Sequence, residues 1–163
     1  MHQINEIEYF GTADATPTLS SSTPADDATD ISVSSNIVLN FSENVDVESG
    51  NITIKKTSDN STVETIDVTS GQVTGSGSTQ ITINPSSDLT GSTEYYVLID
   101  ATAFDDATSN SYAGISSTTA LSFTTEDNIA PTLSSSTPAD NATGIAVNAV
   151  SYTHLTLPTR RGG

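Results

Sequence analysis

Residues 88–99 read DLTGSTEYYVLI, and the fold turns on them. From Tyr95 the side chains alternate, with Tyr95, Val97 and Ile99 falling on one face of an extended chain. A period of two is the mark of a β-strand with one buried face. The preceding Asp, Thr, Gly and Ser are turn residues, and Leu89 stands six residues before Tyr95 as an isolated apolar anchor.

The same alternation recurs outward in both directions. Ile37, Leu39 and Phe41 alternate in NIVLNFS, Ile52 and Ile54 in NITIKK, and Ile66 and Val68 in TIDV. Ile81 and Ile83 follow in TQITIN, and Leu121 and Phe123 in ALSFTT. The stretches between them are rich in Gly, Asn, Asp and Ser, and no segment keeps a 3.6-residue apolar period. About seven short strands without helices predict an all-β, antiparallel Greek-key sandwich of the immunoglobulin type. The Leu89-to-Tyr95 spacing resembles the tyrosine corner of such sandwiches, in which the Tyr hydroxyl bonds back to the backbone near the Leu; the alternative is a Tyr that only fills the core.

Composition agrees with a thin sandwich. Only 34% of the 163 residues are hydrophobic and 6% aromatic, whereas Ser and Thr make up about a third. A net charge of -16 repels phosphate backbones and anionic lipid, so nucleic acid is an unexpected partner and cations are natural ones. No stretch approaches the ~18 apolar residues of a membrane span. The absence of Cys excludes thiolate chemistry.

The segment PTLSSSTPADDATDISV from Pro17 returns as PTLSSSTPADNATGIAV from Pro131, identical at 14 of 17 positions and offset by 114 residues. So long a period means an array of whole domains, which makes neighbouring repeats of the same chain the first expected partners. The expected layout is a ragged segment at 1–15, an immunoglobulin-like domain at 16–127, and a linker with the truncated start of a second repeat at 128–148. A non-native tail is expected at 149–163.

With these residues quoted, residues 16–127 resemble a bacterial immunoglobulin-like domain of the SbsA, or group 5, type. The resemblance rests on the order of STP, FSENV at 41–45, the Leu89–Tyr95 corner and the FTT ending at 123–125. It implies an extracellular or cell-surface module, found in tandem in adhesins and S-layer proteins and as a spacer in secreted enzymes. Phe41, Leu89, Tyr95 and Phe123 are then structural. In AFDDATSN the sequence departs from the family, since Ser109 stands where a Gly is usual. The tail 150–159, VSYTHLTLPT, resembles the translation of a sequencing-library adapter; the alternative is a divergent strand. The apolar counterpart of the Ile37 strand is not expected to follow.

Chemistry is sparse. The histidines, His2 and His154, fall in the ragged start and the tail, so a Ser-His-Asp arrangement lacks a base and no enzyme is expected. GSGS at 75–78 is flanked by strand patterns and reads as a hairpin turn rather than a phosphate cradle.

Calcium is the one chemically motivated ligand, because it takes six to eight oxygens from loop carboxylates, amides and carbonyls. Glu126, Asp127 and Asn128 in the junction TEDNIAP resemble part of a cadherin linker. Asp140, or Asp26, Asp27, Glu43, Asp46, Asp105 and Asp106, would complete a shell. Plain solubility of acidic loops is the competing explanation. A second function class, carbohydrate binding, would use Tyr112 and Tyr96 as exposed stacking aromatics for a surface glycan; a protein ligand is equally open.

Overall fold

The structure is a computed structural model that describes residues 14–144 and the backbone of Tyr152–Leu155. It divides into two compact units after Asp127. No helix occurs among the described residues.

The first unit contains β1 (Leu19–Thr23), β2 (Ala28–Ile31), β3 (Ile37–Val47), β4 (Asn51–Lys56) and β5 (Thr62–Asp67). They are followed by β6 (Val73–Thr74), β7 (Ser78–Ile83), β8 (Glu94–Ile99), β9 (Phe104–Asp105) and β10 (Ser122–Thr125). One sheet runs β1-β3-β7-β6, with β9 added against the far end of β3; the other runs β2-β10-β8-β4-β5. β1 and β2 are halves of one segment that changes sheet at the Thr23–Pro24 peptide, which is cis.

The core is the set of alternating residues. Ile37, Leu39, Ile81 and Ile83 come from one sheet, and Ile52, Ile54, Ile66, Val97, Ile99 and Phe123 from the other; all are buried. Phe41 meets Phe104 with ring centroids 5.4 Å apart and Tyr112 edge-on at 5.2 Å. Aromatic pairs favour such tilted and edge contacts over face-to-face stacking.

The corner forms as its spacing predicts. Leu89 is buried and Tyr95 fully so; the Tyr95 hydroxyl accepts a hydrogen bond from Thr90 N at 2.9 Å and donates to Thr90 O at 3.3 Å. One residue the periodicity does not single out supports it. Thr125 is buried, and its Oγ1 stands 2.7 Å from Thr90 O and accepts Thr93 N–H at 3.1 Å, tying the last strand to the corner.

Two details depart from expectation. The sandwich is not wholly antiparallel, since β2 pairs parallel with β10, Ala28 opposite Phe123 and Ile31 opposite Thr125. Ser109 takes the left-handed conformation at φ 66° that a Gly would adopt more easily.

In the second unit β11 (Leu133–Thr137) pairs antiparallel with β12 (Tyr152–Leu155), Leu133 opposite Leu155 and Thr137 opposite Tyr152. Displaced by the repeat length, this is the register of Leu19 with Phe41 and Thr23 with Val38. β12 lies within the stretch 149–163 expected to be a tail. The expected tail at 149–163 and the ragged start at 1–15 lie mostly outside the described residues.

Candidate functional site

The chain enters the first unit beside β3. Thr18 O accepts Ser42 N–H at 2.9 Å, and Thr18 N donates to Ser42 Oγ at 3.0 Å. It leaves at the other end of the strands, where Glu126 N donates to Ile31 O at 2.8 Å and Ser92 N to Glu126 O at 2.9 Å.

Three acids converge at the entry end. Asp14 from the incoming segment, Glu43 on β3 and Asp106 after β9 each place a carboxylate oxygen within 4.8 Å of the others. β9 delivers Asp106 by pairing with β3, Asp105 opposite Asp46 and Phe104 opposite Val47. The following loop folds back on the Asp106 carboxylate. Oδ1 accepts Thr108 N–H at 2.8 Å and Asn110 N–H at 2.8 Å and lies 3.0 Å from Thr108 Oγ1, while Oδ2 accepts Asn110 Nδ2 at 2.8 Å. Thr108 Oγ1 is also 3.1 Å from Asp14 Oδ2, so one hydroxyl proton faces two carboxylates.

These contacts separate the titration of the acids. Burial, then the charges of Asp14 and Asp106, push the Glu43 carboxyl above its ordinary 4.5. Burial also pushes Asp106 up, but the bonds from Asn110 and Thr108 outweigh it and hold that carboxyl below its ordinary 3.8. Lys55 and Lys56, the only basic residues described, stand on β4 in the opposite sheet.

The donor set fits calcium chemically, being all oxygen and supplied by a loop, a strand and a linker. Asp106 Oδ2, which accepts one bond where Oδ1 accepts several, has lone-pair capacity left for an ion. Asp105, one residue before, has its Oδ1 buried with no hydrogen-bond partner among the described residues.

The remaining predicted acids are placed elsewhere. Glu126 and Asp127 close the first unit at the end opposite Asp105 and Asp106, so those four acids share no shell within it. Asn128 and Asp140 belong to the second unit. Asp26 and Asp27 are taken up by β10, since Asp26 Oδ1 accepts Ser122 N–H at 2.9 Å and Asp27 Oδ1 accepts the Ser122 hydroxyl at 3.0 Å. Asp46 Oδ1 accepts Ser76 Oγ–H at 3.3 Å. Asp14 was legible only as a lone acid before the domain, because nothing in the sequence indicates that β9 brings Asp106 to it.

The expectation that Tyr112 and Tyr96 are exposed platforms is overturned. Tyr112 is 6% exposed, packed edge-on against Phe41, and burial pushes its hydroxyl above the ordinary 10.0. Tyr96 is 2% exposed and donates its hydroxyl to Asn60 Oδ1 at 3.0 Å. It lies on the outer face of β8 but is flanked by Ser122 and the half-buried Lys55. Stacking on a sugar needs an open ring face, which neither offers.

A family model for the bacterial Ig-like domain matches residues 13–125. The chain belongs to the bacterial Ig-like domain family. Among solved structures, this Ig-like chain is similar to the crystal structure of the S-layer protein rSbsC(31-844), at 17% identity and a TM-score of 0.46. The match covers 75% of this chain and 15% of that one, so the Ig-like chain spans a small part of its neighbour's length. No curated protein sequence matches it.

Proposed function

We propose that this Ig-like chain is a non-catalytic spacer of a secreted or cell-surface bacterial repeat protein, joined to neighbouring Ig-like repeats and holding an adhesive or catalytic domain away from the cell. The observation that carries the proposal is the path of the chain, which enters the unit beside Ser42 and leaves beside Ile31 and Ser92 at the opposite end. A domain with its ends so placed extends a string rather than folding it back. Family membership and the 114-residue repeat support the same reading.

Calcium is proposed to stiffen the joint where Asp14 of the incoming segment meets Glu43 and Asp106. An ion there would bind the linker to the domain and neutralise charges that otherwise repel.

Two measurements test this. Antibody raised against residues 16–127 should label intact cells of the source bacterium; labelling only after lysis would rule out the surface role. Calcium added to the full chain should give a saturable calorimetric heat and a higher Tm, both abolished by Glu43→Gln with Asp106→Asn. Equal heats in wild type and variant would remove calcium from this site.

A further inference from the structure

Four Asn-x-Ser/Thr triplets begin among the described residues, at Asn40, Asn51, Asn60 and Asn141; Asn84 is followed by Pro and forms none. This triplet is the acceptor pattern for attaching sugar to a side-chain amide, and a transferase can use it only where the nitrogen, the hydroxyl and the backbone between them are within reach. Geometry sorts the four.

Asn40 is half-buried in the middle of β3, and both arms of its amide are engaged, with Nδ2 donating to Ser21 Oγ at 3.1 Å and Oδ1 accepting Gln80 Nε2 at 2.9 Å. Asn51 opens β4 with its main-chain N–H bonded to Asp100 Oδ2 at 2.8 Å and its Nδ2 3.4 Å from the same oxygen. The Thr of that triplet, Thr53, is half-buried in a strand paired on both sides. Asn141 occupies the position of Asp27, whose side chain in the first unit is taken up by Ser122 of β10.

Asn60 meets each requirement. Asn60, Ser61 and Thr62 are all exposed, where the turn after β4 leads into β5. The turn has a fixed shape, since Asn60 N donates to Lys56 O and Lys56 N to Ser61 O, both at 3.0 Å, and Ser61 N donates to Asp59 Oδ1 at 2.9 Å. Asn60 is left-handed at φ 58°, a conformation that Asn tolerates. The Tyr96 hydroxyl donates to Asn60 Oδ1 at 3.0 Å and so turns the amide oxygen toward β8. Because the amide is planar, Nδ2 is left on the arm directed away from that bond, with both of its hydrogens available.

We propose that Asn60 is a glycan attachment site. In the transfer, Asn60 Nδ2 attacks the anomeric carbon of a glycosyl diphosphate. The carbon–oxygen bond to diphosphate breaks and its electron pair leaves with the diphosphate, the nitrogen–carbon bond forms, and the nitrogen gives up a proton to a base of the transferase. The sugar has a local use as well. β5 is the edge of its sheet, and Val63, directly after the triplet, is 41% exposed. An exposed edge is a template for pairing with another chain, and a bulky, solvated group at its start obstructs that approach.

The test reads a covalent mass and is independent of the spacer role. The full chain is expressed in the source bacterium, purified and digested, and the peptide carrying Asn60 is sequenced by mass spectrometry. A glycan on Asn60 is expected: a single hexose marks a nucleotide-linked donor and a preassembled oligosaccharide a lipid-linked one, and both support the site. Asn60→Asp, which suits the same backbone conformation, should lose the glycan from this peptide entirely. Thr62→Ala should lose it with Asn60 still in place. The proposal is overturned by an unmodified Asn60, by a glycan on Asn40 or Asn51 in preference to Asn60, or by modification that survives Thr62→Ala.

Discussion

Replacing Tyr95 by Phe removes one oxygen from the corner and keeps the ring, whose centroid lies 6.0 Å from that of Phe123. The carbonyl of Thr90 loses little, because Thr125 Oγ1 remains 2.7 Å from it. The Thr90 amide loses its acceptor at 2.9 Å, inside a corner where Tyr95 has no exposed surface. Thr90 itself is exposed, which lets water recover part of that loss. The cost is one neutral hydrogen bond plus part of a desolvation penalty, about 1.5 kcal/mol. For a domain of this size that lowers Tm by about 6 °C. In urea it moves the midpoint down by about 1 M, with the slope unchanged. Tyr96→Phe is the internal comparison. Its hydroxyl serves only the exposed Asn60 side chain, which can turn to water, so the cost is about 0.5 kcal/mol. Urea melts followed by circular dichroism separate the two. If Tyr95→Phe costs no more than Tyr96→Phe, the corner is packing alone and the reasoning fails.

Two further outcomes follow from local geometry. Burial pushes the Glu64 carboxyl up, and the bonds it accepts from Gln72 Nε2 at 2.8 Å and Ser86 N at 3.1 Å more than reverse this, holding it below its ordinary 4.5. A depressed folded value contributes stability above pH 4.5 that is lost as pH falls through 4.5 toward the folded value. Tm should therefore fall more steeply from pH 7 to 3 in the wild type than in Glu64→Gln; parallel curves would count against it. Gly114→Ala should cost about 2 kcal/mol, since φ is +73° and a Cβ would run into the Ile99 carbonyl, whereas Gly71→Ala, with open space, should leave Tm within a degree or two. Equal Tm values for the two variants would contradict the model of the turn.

What the sequence reveals and what it hides divide along one line. Tyr95, Val97 and Ile99 announce β8 because alternation is a local property, and the Leu89 spacing announces the corner for the same reason. The direction and partner of a strand are not local, so the parallel pairing of β2 with β10 leaves no trace in the period. Tyr96 reads as outward-facing, which it is, but a central strand has neighbours on both sides, and Ser122 and Lys55 cover it. Tyr112 lies in a stretch with no period, and only the fold shows it turned onto Phe41. The acidic site was half legible. Its residue types were evident, but the union of Asp14, Glu43 and Asp106 depends on β9 reaching β3.

The parallel pairing of β2 with β10 has a mechanical consequence. A pull applied at Asp14 and Glu126 would draw these strands past one another along their length, because the chain enters toward the start of β2 and leaves from the end of β10. In that direction the bonds of the pair are loaded together rather than opened singly from one end. The Ser122 contacts with Asp26 and Asp27 and the Glu126-to-Ile31 bond lie along the same seam and share the load. The few rungs between β2 and β10 are thus loaded as a shear clamp when the first unit is stretched from its two ends.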